Sequence, residues 1–448
     1  MVGRLCGIRS GVSQTEDLET PGVFRDLWSR ARLLGSLIGK GEFRVGKVEI
    51  LGEYSVAGRT FRPPSYPPQV GTPAEELKPD DPHLRSIMLK NHSGYDMAIP
   101  VYIGRVFGSD LDAFVDIEKV VSMHMAVLGA TGSGKTTFVR KVLRNLEGVS
   151  VFLFDMYDEY GEDLKDKTTH LTVPNILMPV DWEDVKRLLR EGGMSLSERS
   201  SEEREFASAV RRMVKPDLRK TALKEMSLEE VLEKGLKGLR DKHLREGVME
   251  ALGLLKEILG KEAVRDQPLL VNRILKALEG EKGVLFNLRE VDLPETRVAI
   301  GGLVIRELLK LIRSSPRDRL LVIEEAHNFA PERGIWDVQA GRENLAYTGI
   351  KRVALEGRKF RLGLVAITQR PANISKFILS QLNTQVIFKL ITKNDLEAVS
   401  VFFEHSKEDV FKLLPSLRPG TAFITGLGVP FGFLFRMEEI PDQAGGLR

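Results

Sequence analysis

At roughly 100–200 residues per domain, the 448 residues of this chain make two or three domains, and they can bury a large core without disulfide or metal staples. Lys and Arg number 66 against 63 Asp and Glu, a net charge of +3 that neither demands nor excludes a nucleic-acid partner. The one cysteine, Cys6, rules out an intramolecular disulfide framework and a thiolate zinc cage. The opening MVGRLCGIRSGVSQTEDLE has no apolar signal-peptide core. No run approaches the ~18 apolar residues of a membrane span, so a soluble, cytoplasmic protein with no membrane span is expected. Amides are scarce, 8 Gln and 10 Asn beside abundant Glu, Lys and Arg, which fits a thermophile.

In chain order, residues 1–115 read as short β-rich segments punctuated by Gly41, Gly46, Gly52 and Gly58, predicting a small β-barrel; Phe24–Ile38 has helical spacing. Seven prolines between Arg62 and Pro82 forbid regular structure there and predict a long loop over 62–82. Near Val120 the pattern changes. An apolar run, Met125–Leu128, leads into a glycine-rich turn, a helical stretch Thr137–Leu146 and a second apolar run, Val149–Phe154. Strand, turn, helix, strand is the opening of a doubly wound α/β domain. The strand signal returns at Gly283–Leu288, Leu320–Ile323, Leu364–Thr368 and Val386–Leu390, and Thr421–Thr425 with Phe431–Phe435 reads as a terminal hairpin. Over 179–278 it gives way to charged, amphipathic helical sequence, predicting a helical subdomain inserted between core segments 116–178 and 279–448.

The segment Gly129-Ala130-Thr131-Gly132-Ser133-Gly134-Lys135-Thr136, followed by Thr137, matches G-x-x-x-x-G-K-[ST] in full. Its glycines let backbone N–H groups wrap phosphates at a helix N-terminus, Lys135 reaches the β- and γ-phosphates, and the Thr136 hydroxyl ligates Mg²⁺. ATP and Mg²⁺ are therefore the expected ligands. A second apolar strand ends in Glu324 and Glu325. Opposite a phosphate loop, the first acid can join the Mg²⁺ shell and the second can orient and deprotonate the attacking water; alone, the pair would read as two solvated acids. Gln369, ending the run Leu364–Thr368, has the donor and acceptor to sense a γ-phosphate, and Arg370 is the other candidate. Asp155 and Glu159, in FDMYDEYG, either face the nucleotide or cap a loop.

Two basic segments stand out: Lys351–Arg361 with five cations against one anion, and Arg211–Lys224 with six against one. They suit DNA phosphates or a neighbour's ATP, or they are solvated helix faces. The seven histidines show no metal-ligand spacing, and His327 reads as a structural residue.

Together GATGSGKTT, DMYDEYG, VIEEAHNFAP, EGRKF and AITQRP resemble the HerA helicase/translocase group of the HerA–FtsK superfamily. The resemblance covers about 120–440, and the β-rich N-terminus is similar to the small barrel of those proteins. It implies an α/β, RecA-like P-loop ATPase core in a homohexameric ring, double-stranded DNA in the channel, and archaeal relatives that work with a NurA-type nuclease in DNA end resection and repair. By the same match Gln369 couples hydrolysis to movement and Arg358 acts on a neighbouring subunit's phosphate. Met123 and Leu355 stand where relatives carry arginine, so Arg352 and Arg105 are further candidates for that role. The rival expectations are a conjugation- or secretion-type ATPase of the same superfamily and a slow nucleotide-dependent assembly switch.

Overall fold

The computed structural model describes residues 2–11, 43–62, 77–172, 182–214, 227–259, 277–278, 280, 282–291, 294–313, 317–332, 345–400 and 413–438. The helix expected over Phe24–Ile38 and most of the proline loop lie outside them. The chain divides into two compact units, Met1–Met97 and Ala98–Arg448.

In the first unit, β1 (Val2–Gly11) pairs antiparallel with β2 (Phe43–Ser55), and β2 with β3 (Thr60–Arg62). Cys6 lies in β1, where the register slips between Leu5 and Gly7. A helix, Pro82–Met88, follows, capped by the Asp81 carboxylate with proline in its first turn. Among the described residues the three strands form a sheet, and no closed barrel is seen.

β4 (Pro100–Val106) and β5 (Asp112–Asp116), expected within the N-terminal domain, belong to the second unit. β4 pairs with a strand at the far end of the chain, through Val106 and Phe435, so the division falls at 97/98 instead of near 115. Local pattern cannot reveal a partner more than 300 residues away. The remaining strands are β6 (Met125–Leu128), β7 (Ser150–Asp155), β8 (Thr168–Thr172), β9 (Gly283–Asn287), β10 (Arg319–Ile323), β11 (Leu362–Thr368), β12 (Thr384–Ile387), β13 (Thr421–Gly426) and β14 (Phe433–Arg436). With β4 and β5 they form one sheet of 11 strands in the order β5-β4-β14-β13-β12-β6-β11-β10-β7-β9-β8. From β12 to β8 every neighbouring pair is parallel; from β12 to β5 every pair is antiparallel.

All residues of β6, β10, β11 and β12 are buried, as expected of parallel strands covered on both faces. β12 begins at Thr384, two residues before the expected start: Thr384 and Gln385 are polar yet buried, and the Thr384 hydroxyl accepts the Gly428 N–H at 3.1 Å. The described part of the stretch after residue 179 carries helices at Trp182–Glu191, Ser201–Val214, Leu228–Gly235 and Lys242–Leu259 and no strand up to residue 259. Their apolar faces, through Phe206, Leu232 and Leu252, merge with Phe154 and Leu321 of the sheet into one core, so the insertion is no third unit. Among the described residues no helix is long and apolar enough to cross a membrane.

Candidate active site

β6 delivers the chain into the turn Gly129–Gly134 and then the helix Lys135–Arg144. Gly129 has φ +154, and a Cβ there would lie 2.6 Å from the Phe388 Cβ; Gly134 has φ +112, with Met437 Cε 2.9 Å from where a Cβ would stand. Both positions therefore require glycine. The turn is held from both sides: Ala130 N–H donates to Lys389 O at 2.8 Å and Gly420 N–H to Ser133 O at 3.0 Å. The first intrahelical bond is Phe138 N–H to Gly134 O at 2.9 Å. The N–H groups of Lys135, Thr136 and Thr137 thus lie in the first turn, where helix geometry leaves donors free and the dipole favours an anion. Lys135 Nζ donates to Ala130 O at 3.0 Å, across the loop. Burial lowers its pKa, opposed by the charges of Glu325, Glu324 and Glu159. Three carboxylates therefore act on one ammonium.

Those carboxylates come from two parallel strands, β7 and β10. β7 ends at Asp155, whose Oδ1 accepts the N–H groups of Tyr157 (3.2 Å) and Glu159 (3.1 Å) and whose Oδ2 accepts that of Tyr160 (3.1 Å). Asp155 thus caps the loop, and the loop presents Glu159, whose Oε2 accepts the Thr136 hydroxyl at 3.3 Å. Of the two readings left open by the sequence, Asp155 takes the loop-capping one, and Glu159 meets Thr136 of the phosphate loop. Glu159 is the site residue that pattern reading does not commit to; its signal is the spacing Asp155-x-x-x-Glu159-Tyr160, which lets one carboxylate gather the turn's N–H groups.

β10 ends at the double acid, and the two side chains part. Glu324 is 4% exposed; its Oε2 accepts Met156 N–H at 3.2 Å and its Oε1 the Tyr160 hydroxyl at 3.0 Å. It therefore faces β7, while Thr136 faces Glu159. Glu325, with φ +46, turns toward Lys135 and Arg370. Burial raises its pKa, and those two cations oppose the rise. Among the described residues its buried Oε2 accepts no hydrogen bond. His327 Nδ1 lies 3.3 Å from that oxygen but is bonded to Thr368 Oγ1 at 3.0 Å. Nδ1 is thus engaged by the Thr368 hydroxyl, which also accepts Arg370 N–H at 3.0 Å. Burial holds His327 at about 4, neutral, in agreement with its structural reading.

β11 lies between β6 and β10, so Gln369, just beyond it, reaches the phosphate loop, where its Oε1 accepts the Thr131 hydroxyl. Of the candidate trans-acting arginines, Arg105 pairs with Asp110 (3.0 Å) and Glu438 (2.8 Å), and Arg352 with Glu356 (3.2 Å). Arg358 is exposed on the short turn Gly357–Phe360 and forms no ion pair among the described residues. Arg211 is a structural pin, 2.9 Å from Glu198 and stacked over Trp182 at 5.5 Å. Residues 215–224 of the second basic segment lie outside the described residues.

Glu324 makes the ligand-free protein sensitive to pH. Burial, with Asp155 and Glu159 adding, pushes its carboxyl from 4.5 up to about 8 against the two donors it accepts. Below about pH 4.5 folded and unfolded chains both hold this proton. Between there and about pH 8 only the folded chain does, so stability falls as pH rises; above that both are ionised and the trend ends. Between about pH 4 and 6.5 the buried His327 and His124, each held at about 4, oppose this trend, so the Tm of ligand-free protein is expected to drop between about pH 6.5 and 8, and Glu324→Gln to flatten that drop; an unchanged slope in the variant would contradict the assignment.

Residues 101–308 match the family described as helicase HerA, central domain. The chain is 25% identical over 90% of its length to a probable helicase of Methanocaldococcus jannaschii, covering 78% of that protein. It is 25% identical over 86% of its length to the DNA double-strand break repair helicase HerA of Sulfurisphaera tokodaii, covering 76% of it. Among solved structures VirB4 of Thermoanaerobacter pseudethanolicus aligns with 78% of this chain and 99% of its own, at 14% identity and a TM-score of 0.46.

Proposed function

We propose that the chain, which the helicase HerA central-domain family matches over residues 101–308, is a HerA-type P-loop ATPase that works as an ATP-driven translocase or helicase on double-stranded DNA in DNA repair. The observation that carries hydrolysis over mere binding is Glu325: a half-buried carboxylate whose charge acts on Lys135, of raised pKa, with one buried oxygen accepting no hydrogen bond among the described residues. An unpartnered carboxylate oxygen of raised basicity is what a water nucleophile needs next to a bound γ-phosphate.

The donor set suits Mg²⁺, which prefers oxygen and shares its shell with phosphates instead of an all-protein cage. Thr136 and Glu159 would hold it directly, with Glu324 through water; the ion supplies charge neutralisation on the β- and γ-phosphates. In this reading the N–H groups of Gly132–Thr137 bind the phosphates and Lys135 neutralises the charge between β and γ. Glu325 orients a water and takes its proton as the water oxygen bonds to the γ-phosphorus and the bond to the β–γ bridging oxygen breaks, leaving ADP and phosphate. Gln369, through Thr131, carries the change to β11.

We extend the proposal to a homohexameric ring in which Arg358 reaches a neighbouring subunit's γ-phosphate, with DNA in the channel and a NurA-type nuclease as partner. What favours Arg358 is that it stands exposed and, among the described residues, unpaired while Arg105 and Arg352 are engaged. Linear double-stranded DNA is expected to raise the ATPase rate several-fold over the DNA-free rate, read by phosphate release. A rate indifferent to DNA would favour the assembly switch, and stimulation by single strands alone would contradict a duplex motor.

A further inference from the structure

His124 lies outside the phosphate-binding residues, yet its bonds reach the elements that carry the catalytic groups. Its N–H closes the helix Ile117–Met123 on Val120 O at 2.8 Å, and its φ of +67 turns the chain into β6. Its carbonyl accepts Thr384 N–H of β12 at 3.2 Å. The imidazole is buried, and its Nδ1 accepts Leu364 N–H of β11 at 3.0 Å, one residue before the β6–β11 ladder begins at Met125 and Val365. Nε2 therefore bears the proton, and its partner at 3.1 Å is Ala354 O. Ala354 belongs to the last turn of the helix Leu345–Glu356, where carbonyls lack intrahelical donors. The next residue beyond the helix, Gly357, packs on the ring: a Cβ there would lie 3.3 Å from His124 Cε1 and 2.3 Å from Leu362 O. Gly357 opens the turn that presents Arg358 and Lys359 to solvent. Burial holds the imidazole at about 4, so this neutral tautomer persists near neutrality.

We propose that His124 is a positioning residue for ATP hydrolysis, holding the Arg358-bearing turn, through Ala354 and Gly357, in register with the phosphate-loop strand β6 and the Gln369 strand β11. The inference rests on the reading of Arg358 as an arginine that acts on a neighbouring subunit's phosphate. It adds a cause for that arginine's placement: one side chain ties the turn to both strands, so the turn moves when they do.

Asn at position 124 keeps an acceptor near Leu364 N–H but stops short of Ala354 O; Gln retains the reach. In the full-length assembled protein, His124→Asn is expected to lower kcat by about 10- to 100-fold, the scale of a misplaced catalytic group, with KM for ATP within about twofold and His124→Gln recovering most of the loss. His124→Asn combined with Arg358→Ala should be no slower than Arg358→Ala alone, because both act through one group. Normal kcat in His124→Asn, or losses that multiply in the double variant, would overturn the inference. Should His124→Asn fail to fold, Gly357→Ala, which sets a methyl against the ring and Leu362 O, is expected to show the same kcat loss and the same lack of additivity with Arg358→Ala; multiplying losses there would likewise overturn it. Arg358→Ala with unchanged turnover would refute the arginine reading itself, and is seen before any His124 variant is compared.

Discussion

Replacing Glu325 with Gln is expected to slow ATP hydrolysis by about 10²- to 10⁴-fold, the usual worth of a positioned general base, while ATP binding stays within a few-fold. The amide keeps the shape and loses the proton acceptor. The surroundings make the effect specific: Lys135 and Arg370 offset the burial of this carboxylate, and Thr368 engages His327 Nδ1. Glu324→Gln is expected to behave differently. That carboxylate already accepts Met156 N–H and the Tyr160 hydroxyl, so its replacement disturbs the β7 loop and the pH dependence of folding before it touches the water. Single-turnover ATPase assays with a parallel nucleotide-binding titration separate the two; Glu325→Gln turning over normally would remove the mechanism.

The second large effect is at Lys135. Lys135→Ala removes the ammonium on which Glu325, Glu324 and Glu159 act, and with it one of the positive charges that would meet the bound phosphates. Turnover is expected to fall by at least about 10³-fold, since electrostatic stabilisation of the transferring group supplies most of the rate enhancement in such sites. ATP affinity should fall with it, unlike Glu325→Gln. The same removal relieves ammonium burial, so the ligand-free variant should be no less stable in a thermal melt. Tight ATP binding in Lys135→Ala would show that the loop N–H groups suffice without it.

How far the sequence shows these features follows from the range of the interactions involved. The phosphate loop is local: eight residues between a buried strand and a helix define it, and Gly129 and Gly134 are glycines because their φ of +154 and +112 disfavour a side chain, with Phe388 also closing on the first. β6, β10 and β11 are visible because strands covered on both faces are continuous apolar runs. β8 escapes notice for the converse reason: at the sheet edge, Thr168 and Leu171 are buried and the other three residues exposed, so Thr168–Thr172 forms no run. β4 reads as part of the wrong unit because its partner, β14, is near the other end of the chain. Glu159 requires knowing that Asp155 folds its loop, and His124 that a lone histidine meets Ala354 and Leu364, both more than 200 residues away. Residue chemistry at the site is legible; the side chains that aim it are not, because they act through contacts distant in sequence.

The central claim, that ATP hydrolysis at this site drives movement along duplex DNA, is tested most directly by displacement of a triplex-forming strand from linear double-stranded DNA. The account expects displacement that requires ATP, is abolished in Glu325→Gln and runs at a rate tracking ATP turnover. Full ATP turnover by the wild-type protein on the same DNA with no displaced strand would contradict it.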